Sequence, residues 1–238
     1  MAAPESAAPD APTTGGAAVA EGGFAASDTG RVEAFSDAVI AIAITILVLE
    51  LRSPPHEPGH LLAALAHQWP VYVGYLMSFA YIGVIWLNHH QAFLRIRAVD
   101  RGLHLANLAL LFTTAGLSFP TAVVSDALQE NLAGDDARTA VALYALIAAA
   151  MCASWLWIYH HLDRYPALKS PRCEVDYVHQ GFVRSLSGLV AYLVGGAAGF
   201  LIHPAIALAV YVLLPIFYFA TTEGLRLRLR APSPVAPH

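Results

Sequence analysis

The sequence predicts an all-α membrane protein with six transmembrane helices per chain, and three observations carry that reading. The composition, 57% hydrophobic and 13% charged over 238 residues, is too apolar for an ordinary soluble domain. Six stretches, 31–51, 69–87, 103–124, 139–159, 182–202 and 205–221, approach the ~20 residues that a spanning helix needs. The basic residues also segregate. With six spans and a cytoplasmic N-terminus, Arg31, Arg95, Arg97, Arg101, Arg164, Lys169, Arg172, Arg184, Arg226, Arg228 and Arg230 fall inside, and only Arg52 and Arg138 fall outside. That asymmetry obeys the positive-inside rule, whereas five or seven spans would scatter the charges over both sides. A multi-pass protein of the cell membrane with both termini in the cytoplasm is expected.

Residues 1–30 are rich in Ala, Gly, Pro, Ser and Thr and carry only acidic charges. They cannot bury a core and read as a disordered cytoplasmic tail. With no basic n-region and no apolar h-region, they do not read as a secretory signal. Residues 31–222 form the membrane domain, and 223–238 read as a second cytoplasmic tail. The first span, RVEAFSDAVIAIAITILVLEL, reads as the least apolar of the six, with a clean run only over 38–49. Such a helix belongs against protein or a water-filled path. At ~100° per residue, Phe35, Ala38, Ile42, Thr45, Ile46 and Leu49 share one stripe, and Asp37 projects from nearly the opposite face. An ionisable residue inside a span is costly enough to mark function. In the fifth span, Gly195 and Gly199 make a G-x-x-x-G with Gly188 and Gly196 nearby, which suits close helix packing.

Several chemistries are excluded. Cys152 and Cys173 lie at different depths and build no disulfide or metal cluster. His89 with His90 and His160 with His161 are adjacent pairs that diverge by ~100°, unlike the i, i+4 spacing of a zinc site. No cofactor and no metal beyond a permeating cation is expected, and nothing suggests nucleic-acid binding. Ser118, Ser154, Ser185 and Ser187 lack a nucleophile-elbow context, so the chain does not read as an enzyme. The alternating arginines 226–230 spread around a helix and read as a membrane anchor, not a voltage sensor. Asp126, Glu130, Asp135 and Asp136 oppose Arg138 alone in an outer loop; either they form a cation-concentrating vestibule or they are simply solvated.

Within the first span, Arg31, Phe35, Ser36 and Asp37 spell R-x-x-x-F-S-D, followed by Ala41, Ile42, Thr45 and L-V-L-E-L at 47–51. Trp86, His89 and Phe93 in the second span make W-x-x-H-x-x-x-F, and Asn107 and Pro120 lie in the third. In these residues the chain resembles the lysosomal potassium-channel family typified by transmembrane protein 175, in its prokaryotic branch with one six-helix repeat per chain. The resemblance covers roughly 31–222.

The resemblance implies a homotetramer whose four first helices line a central pore and conduct potassium ions without a T-V-G-Y-G carbonyl filter. By motif position, the aliphatic constriction falls on Ile42, Ile46 and Leu49, and the hydroxyl selectivity layer on Thr45. Periodicity alone places these four on one stripe. As straight α-helix, their rings would be spaced ~6 and ~4.5 Å apart at the ~1.5 Å helical rise. Arg31, Phe35, Ser36, Asp37, Trp86, His89 and Asn107 are expected to form a structural polar network that holds the first helix, with a proton relay through Asp37 and His89 as the other reading. The expected function is a modestly potassium-selective, passive cation channel gated by its aliphatic rings; a proton-coupled transporter of ions or small solutes is the alternative.

Overall fold

A computed structural model describes residues 29–222. Of the segments expected as tails, only Thr29 and Gly30 fall among the described residues, where they open the first helix; 223–238 lie outside them. The described residues form eight α-helices: α1 (Thr29–Ile46), α2 (Leu61–His67), α3 (Trp69–Phe93), α4 (Arg101–Ala115), α5 (Ser118–Glu130), α6 (Asp135–Arg164), α7 (Tyr177–Leu201) and α8 (Pro204–Ala220). Five helical stretches are long and apolar enough to cross a membrane, and α8 is a sixth, shorter apolar helix. The first of them corrects one expectation. Its best window is the most apolar of the five long stretches, because the aliphatic run of 38–49 outweighs the polar residues crowded at one end.

The third span is one crossing built from two helices. Leu117 separates α4 from α5 beyond Gly116, and Pro120 stands one turn later. Pro120 has no N–H to offer the carbonyl of Gly116, and its ring crowds that carbonyl, so a break there follows from the residue type. The short α2, with no buried residue, lies in the connection between the first two crossings.

The core is organised on α6. Ala137, Ala140, Val141, Ala145, Ala148 and Cys152 are buried along it, and small residues let α7 approach closely. A Cβ at Gly196 would collide with that of Ala145, and one at Gly199 with that of Ala207 on α8. The G-x-x-x-G stripe therefore serves two partners: Gly196 meets α6, while Gly195 and Gly199 meet α8. Tyr211 of α8 closes the packing by donating to the carbonyl of Val141 at 2.5 Å.

Contacts at the two ends of the bundle sort the loops. At one end, the α3–α4 and α6–α7 connections pair through Arg97 N–H to Leu168 O and Ser170 N–H to Arg95 O, both 2.8 Å. Asp100 caps α4 by accepting from Leu103 N at 2.8 Å, and meets His161 of α6 at 2.9 Å. At the other end, Arg138 of α6 donates to the carbonyls of Phe200 and Ile202 at 2.9 and 3.3 Å. It thereby satisfies groups that the C-terminus of α7 leaves open. Arg95, Arg97, Lys169 and Arg172 all belong to the first end, hereafter the basic end.

Helix α1 joins this core only through Val32 at its start. Its Ile40 and Ala43, with Leu47 just beyond, pack on Ile82 of α3 and Leu111 of α4 as a separate small cluster. One flank of α1 is covered and the other faces outward.

Candidate functional site

The outward flank of α1 is the stripe that periodicity picks out. Phe35, Ile42, Ile46 and Leu49 are 54%, 57%, 44% and 64% exposed, while Ile40 and Leu47 on the opposite flank are 2% and 1% exposed. Ala38, Ala41 and Thr45 are exposed on the same side. Thr45 Oγ1 donates its proton to the carbonyl of Ile42 at 2.9 Å. The hydroxyl is thereby spent on the helix, and its lone pairs remain as acceptors on the open face.

Beyond Ile46 the helix tightens into a 3-10 turn, Leu47–Glu50. In that geometry residues i and i+3 eclipse and the rise is ~2.0 Å per residue. Leu49 therefore stands almost directly in line with Ile46, ~6 Å along the axis instead of the ~4.5 Å of a continuous α-helix.

The polar residues of the first span divide into two arrangements. The inner one is buried: His89 Nε2 and Asn107 Oδ1 are 3.0 Å apart, Asn107 Nδ2 donates to Ser36 Oγ at 2.9 Å, and Ser36 Oγ donates to Val32 O at 2.8 Å. Since Asn107 Oδ1 only accepts, His89 donates from Nε2. His89, Ser36 and Asn107 are 0%, 0% and 2% exposed, and His89 is further fixed by stacking on Phe93 at 4.3 Å. The chain thus ties three helices, α1, α3 and α4, at one point. The outer arrangement is half-exposed: Trp86 Nε1 donates to Asp37 Oδ1 at 2.9 Å, and His90, stacked on Trp86, meets Glu33 at 2.9 Å.

Of the seven residues grouped by sequence as one network, five are therefore brought into bonds, in two sets. Asp37 bonds Trp86 and not His89, so the two members of the relay reading are not directly linked. Arg31 and Phe35 are exposed and stand outside both sets. The Glu33–His90 pair is absent from the sequence reading. An acid on the first turns of α1 and the second histidine of the H-H pair were its only signals.

Comparison with known proteins bears on what this arrangement serves. The family profile described as "Endosomal/lysosomal potassium channel TMEM175" matches residues 31–117. A potassium channel of Streptomyces collinus is 38% identical over 193 residues, covering 81% of this chain and 92% of that protein. The chain belongs to the TMEM175 family. A potassium channel of Chamaesiphon minutus is 40% identical over 181 residues, 74% of this chain and 86% of that one. The crystal structure of a lysosomal potassium-selective channel TMEM175 homolog from Chamaesiphon minutus superposes with a TM-score of 0.68 at 34% identity, covering 80% of this chain and 95% of that chain. The TMEM175 fold is thus present over nearly the full described length. The profile match contains both polar arrangements and Ile42, Thr45, Ile46 and Leu49 of the stripe.

Proposed function

We propose that this protein conducts potassium ions passively through a pore lined by four copies of α1, one from each chain of a homotetramer. The observation that carries the reading is the two-sidedness of α1: an aliphatic flank left open on a helix whose other flank is anchored by a buried polar chain. Four open flanks facing one axis would cover one another and leave a narrow aliphatic path. Rings of Ile42, Ile46 and Leu49 oppose water and gate by dewetting, and an ion that passes sheds part of its hydration shell. Potassium, held less tightly by water than sodium, sheds it at lower cost. Thr45 presents oxygen lone pairs between two of these rings, in partial replacement of lost water. The result is modest potassium preference.

In this reading the Ser36–Asn107–His89 chain and the Asp37–Trp86 bond hold α1 in register and do not touch the ion. The chain spans the cell membrane with its basic end in the cytoplasm.

Purified protein in liposomes, with an ion gradient as the sole driver, tests the function. Potassium flux exceeding sodium flux, with no chloride flux, is expected; flux that saturates steeply with potassium and follows a proton gradient would replace the channel by a carrier. For topology, Asn131→Cys and Arg172→Cys in a background lacking Cys152 and Cys173 are expected to label from outside and inside respectively. The reverse pattern overturns the orientation.

A further inference from the structure

A second site lies away from α1, between α3, α6, α7 and α8. Arg184 of α7 is 5% exposed, and its guanidinium is a cation with five N–H donors and no acceptor. Nη2 donates to Asn88 Oδ1 at 2.6 Å and to the carbonyl of Tyr218 at 3.3 Å, and the group sits 5.8 Å from the Tyr218 ring centroid. All these partners are neutral. Nε is buried with no hydrogen-bond partner, and among the described residues Nη1 has none either. Burying a cation without a counter-charge is among the costliest arrangements in a protein.

Beside it is a cavity of about 30 Å³, lined by Tyr81, Asn88, Trp155, Arg184, Ser185 and Tyr218 among others, with no carboxylate in its wall. That volume exceeds the ~10–15 Å³ needed by one water. Ser185 and Tyr218 spend their hydroxyl protons on the carbonyls of Gly181 and Arg184, which leaves Tyr81 and Trp155 as the donors of the wall. Tyr81 Oη accepts from Tyr192 at 2.7 Å and keeps its own proton to give. The indole N–H of Trp155 has no partner among the described residues. Asn88 cannot turn to help, because its Nδ2 is committed to Val84 O at 2.8 Å. Arg184 lies seven residues into α7, ~10 Å from its start at the basic end.

The geometry points to an anion site: Arg184, with donors from its cavity wall, holds one small anionic centre of chloride size, either a free halide or an ionised oxygen of a phospholipid headgroup. The anion supplies the counter-charge that the protein omits, and locks α7 to α3 and α8.

The test is thermal unfolding of the intact protein in nanodiscs, with two arms. In phosphatidylcholine alone, potassium chloride replaces potassium gluconate at constant ionic strength. In gluconate throughout, phosphatidylglycerol replaces part of the phosphatidylcholine. A saturable rise in Tm of about 2–4 °C, at an anion concentration near five times its dissociation constant, is expected in one arm. A rise in the chloride arm assigns a free anion, and a rise only in the lipid arm assigns a headgroup. The discriminating variant is Asn88→Asp, which places a near-isosteric carboxylate already within 2.6 Å of Arg184. It is expected to fold and to lose the anion dependence. No shift in either arm, or a shift that persists in Asn88→Asp, overturns the site.

Discussion

Asn107→Leu isolates the anchoring of α1 from the chemistry of its open face. The side chains are similar in volume, so the substitution leaves no large void, yet it strips both partners from the centre of the buried chain. His89 Nε2–H loses its acceptor at 3.0 Å, in a site where Nδ1 is already unpartnered. Ser36 keeps its bond to Val32 but loses the donor from Asn107. An orphaned buried N–H costs about 1–3 kcal/mol, and that dominates. At ~2–4 °C per kcal/mol for a chain of this size, Tm falls by roughly 2–12 °C. The cycle with His89→Leu sharpens the test, since removing both partners relieves the orphan. The double variant is expected to be more stable than the sum of the single losses by about 0.5–3 kcal/mol. Thermal unfolding in detergent, followed by size-exclusion chromatography at fixed concentration, reads both stability and assembly. Unchanged Tm in Asn107→Leu, or strict additivity in the cycle, would show that the Ser36–Asn107–His89 chain does not hold α1.

Asp37→Asn is expected to cost less than Asn107→Leu in the same melt, because an amide oxygen still accepts from Trp86 and only the charge assistance of the 2.9 Å bond is lost. Ile46→Asn is expected to wet the constriction, raising liposome flux and lowering the potassium over sodium preference; Thr45→Ala shifts preference with the fold intact, whereas Leu47→Ala, 1% exposed on the covered flank, loses about 2–5 kcal/mol of stability with selectivity unchanged. Gly196→Ala sets a methyl against Ala145 and is expected to cost about 1–3 kcal/mol by overpacking, seen as a lower Tm with wild-type ion preference. Burial pushes the Asp100 carboxyl up, but the Leu103 N–H and His161 outweigh it and hold it below its ordinary value. Its contribution is therefore present above ordinary carboxylate pKa values and lost as pH falls through its own lowered one; Asp100→Asn should flatten the acid limb of a Tm against pH curve.

What the sequence makes legible follows from how local the cause is. The open stripe of α1 is readable because 3.6-residue periodicity is a property of one helix, and the residues it selects are those the fold leaves uncovered. Periodicity puts Leu49 on the right flank but misses its spacing from Ile46, because the tightening into 3-10 beyond Ile46 carries no signature in a run as uniform as L-V-L. The division of the polar residues into two arrangements is unreadable for another reason. Which of His89 and His90 turns inward depends on where α3 sits against α4 and α6, a long-range fact, and adjacent histidines look alike in one dimension. Pro120 could have announced the break in the third span, since its effect on the preceding turn is local. Arg184 shows the opposite limit. By position it is one of the arginines that fix topology, and the positive-inside rule accounts for it fully. Only the fold reveals that it is turned into protein with neutral partners, more deeply than half-buried Arg95, which bonds Gln91 and lies over Tyr177. A charge pattern sufficient to orient a membrane protein thus conceals a buried cation, because orientation depends on which end a charge occupies and burial on which neighbour it faces.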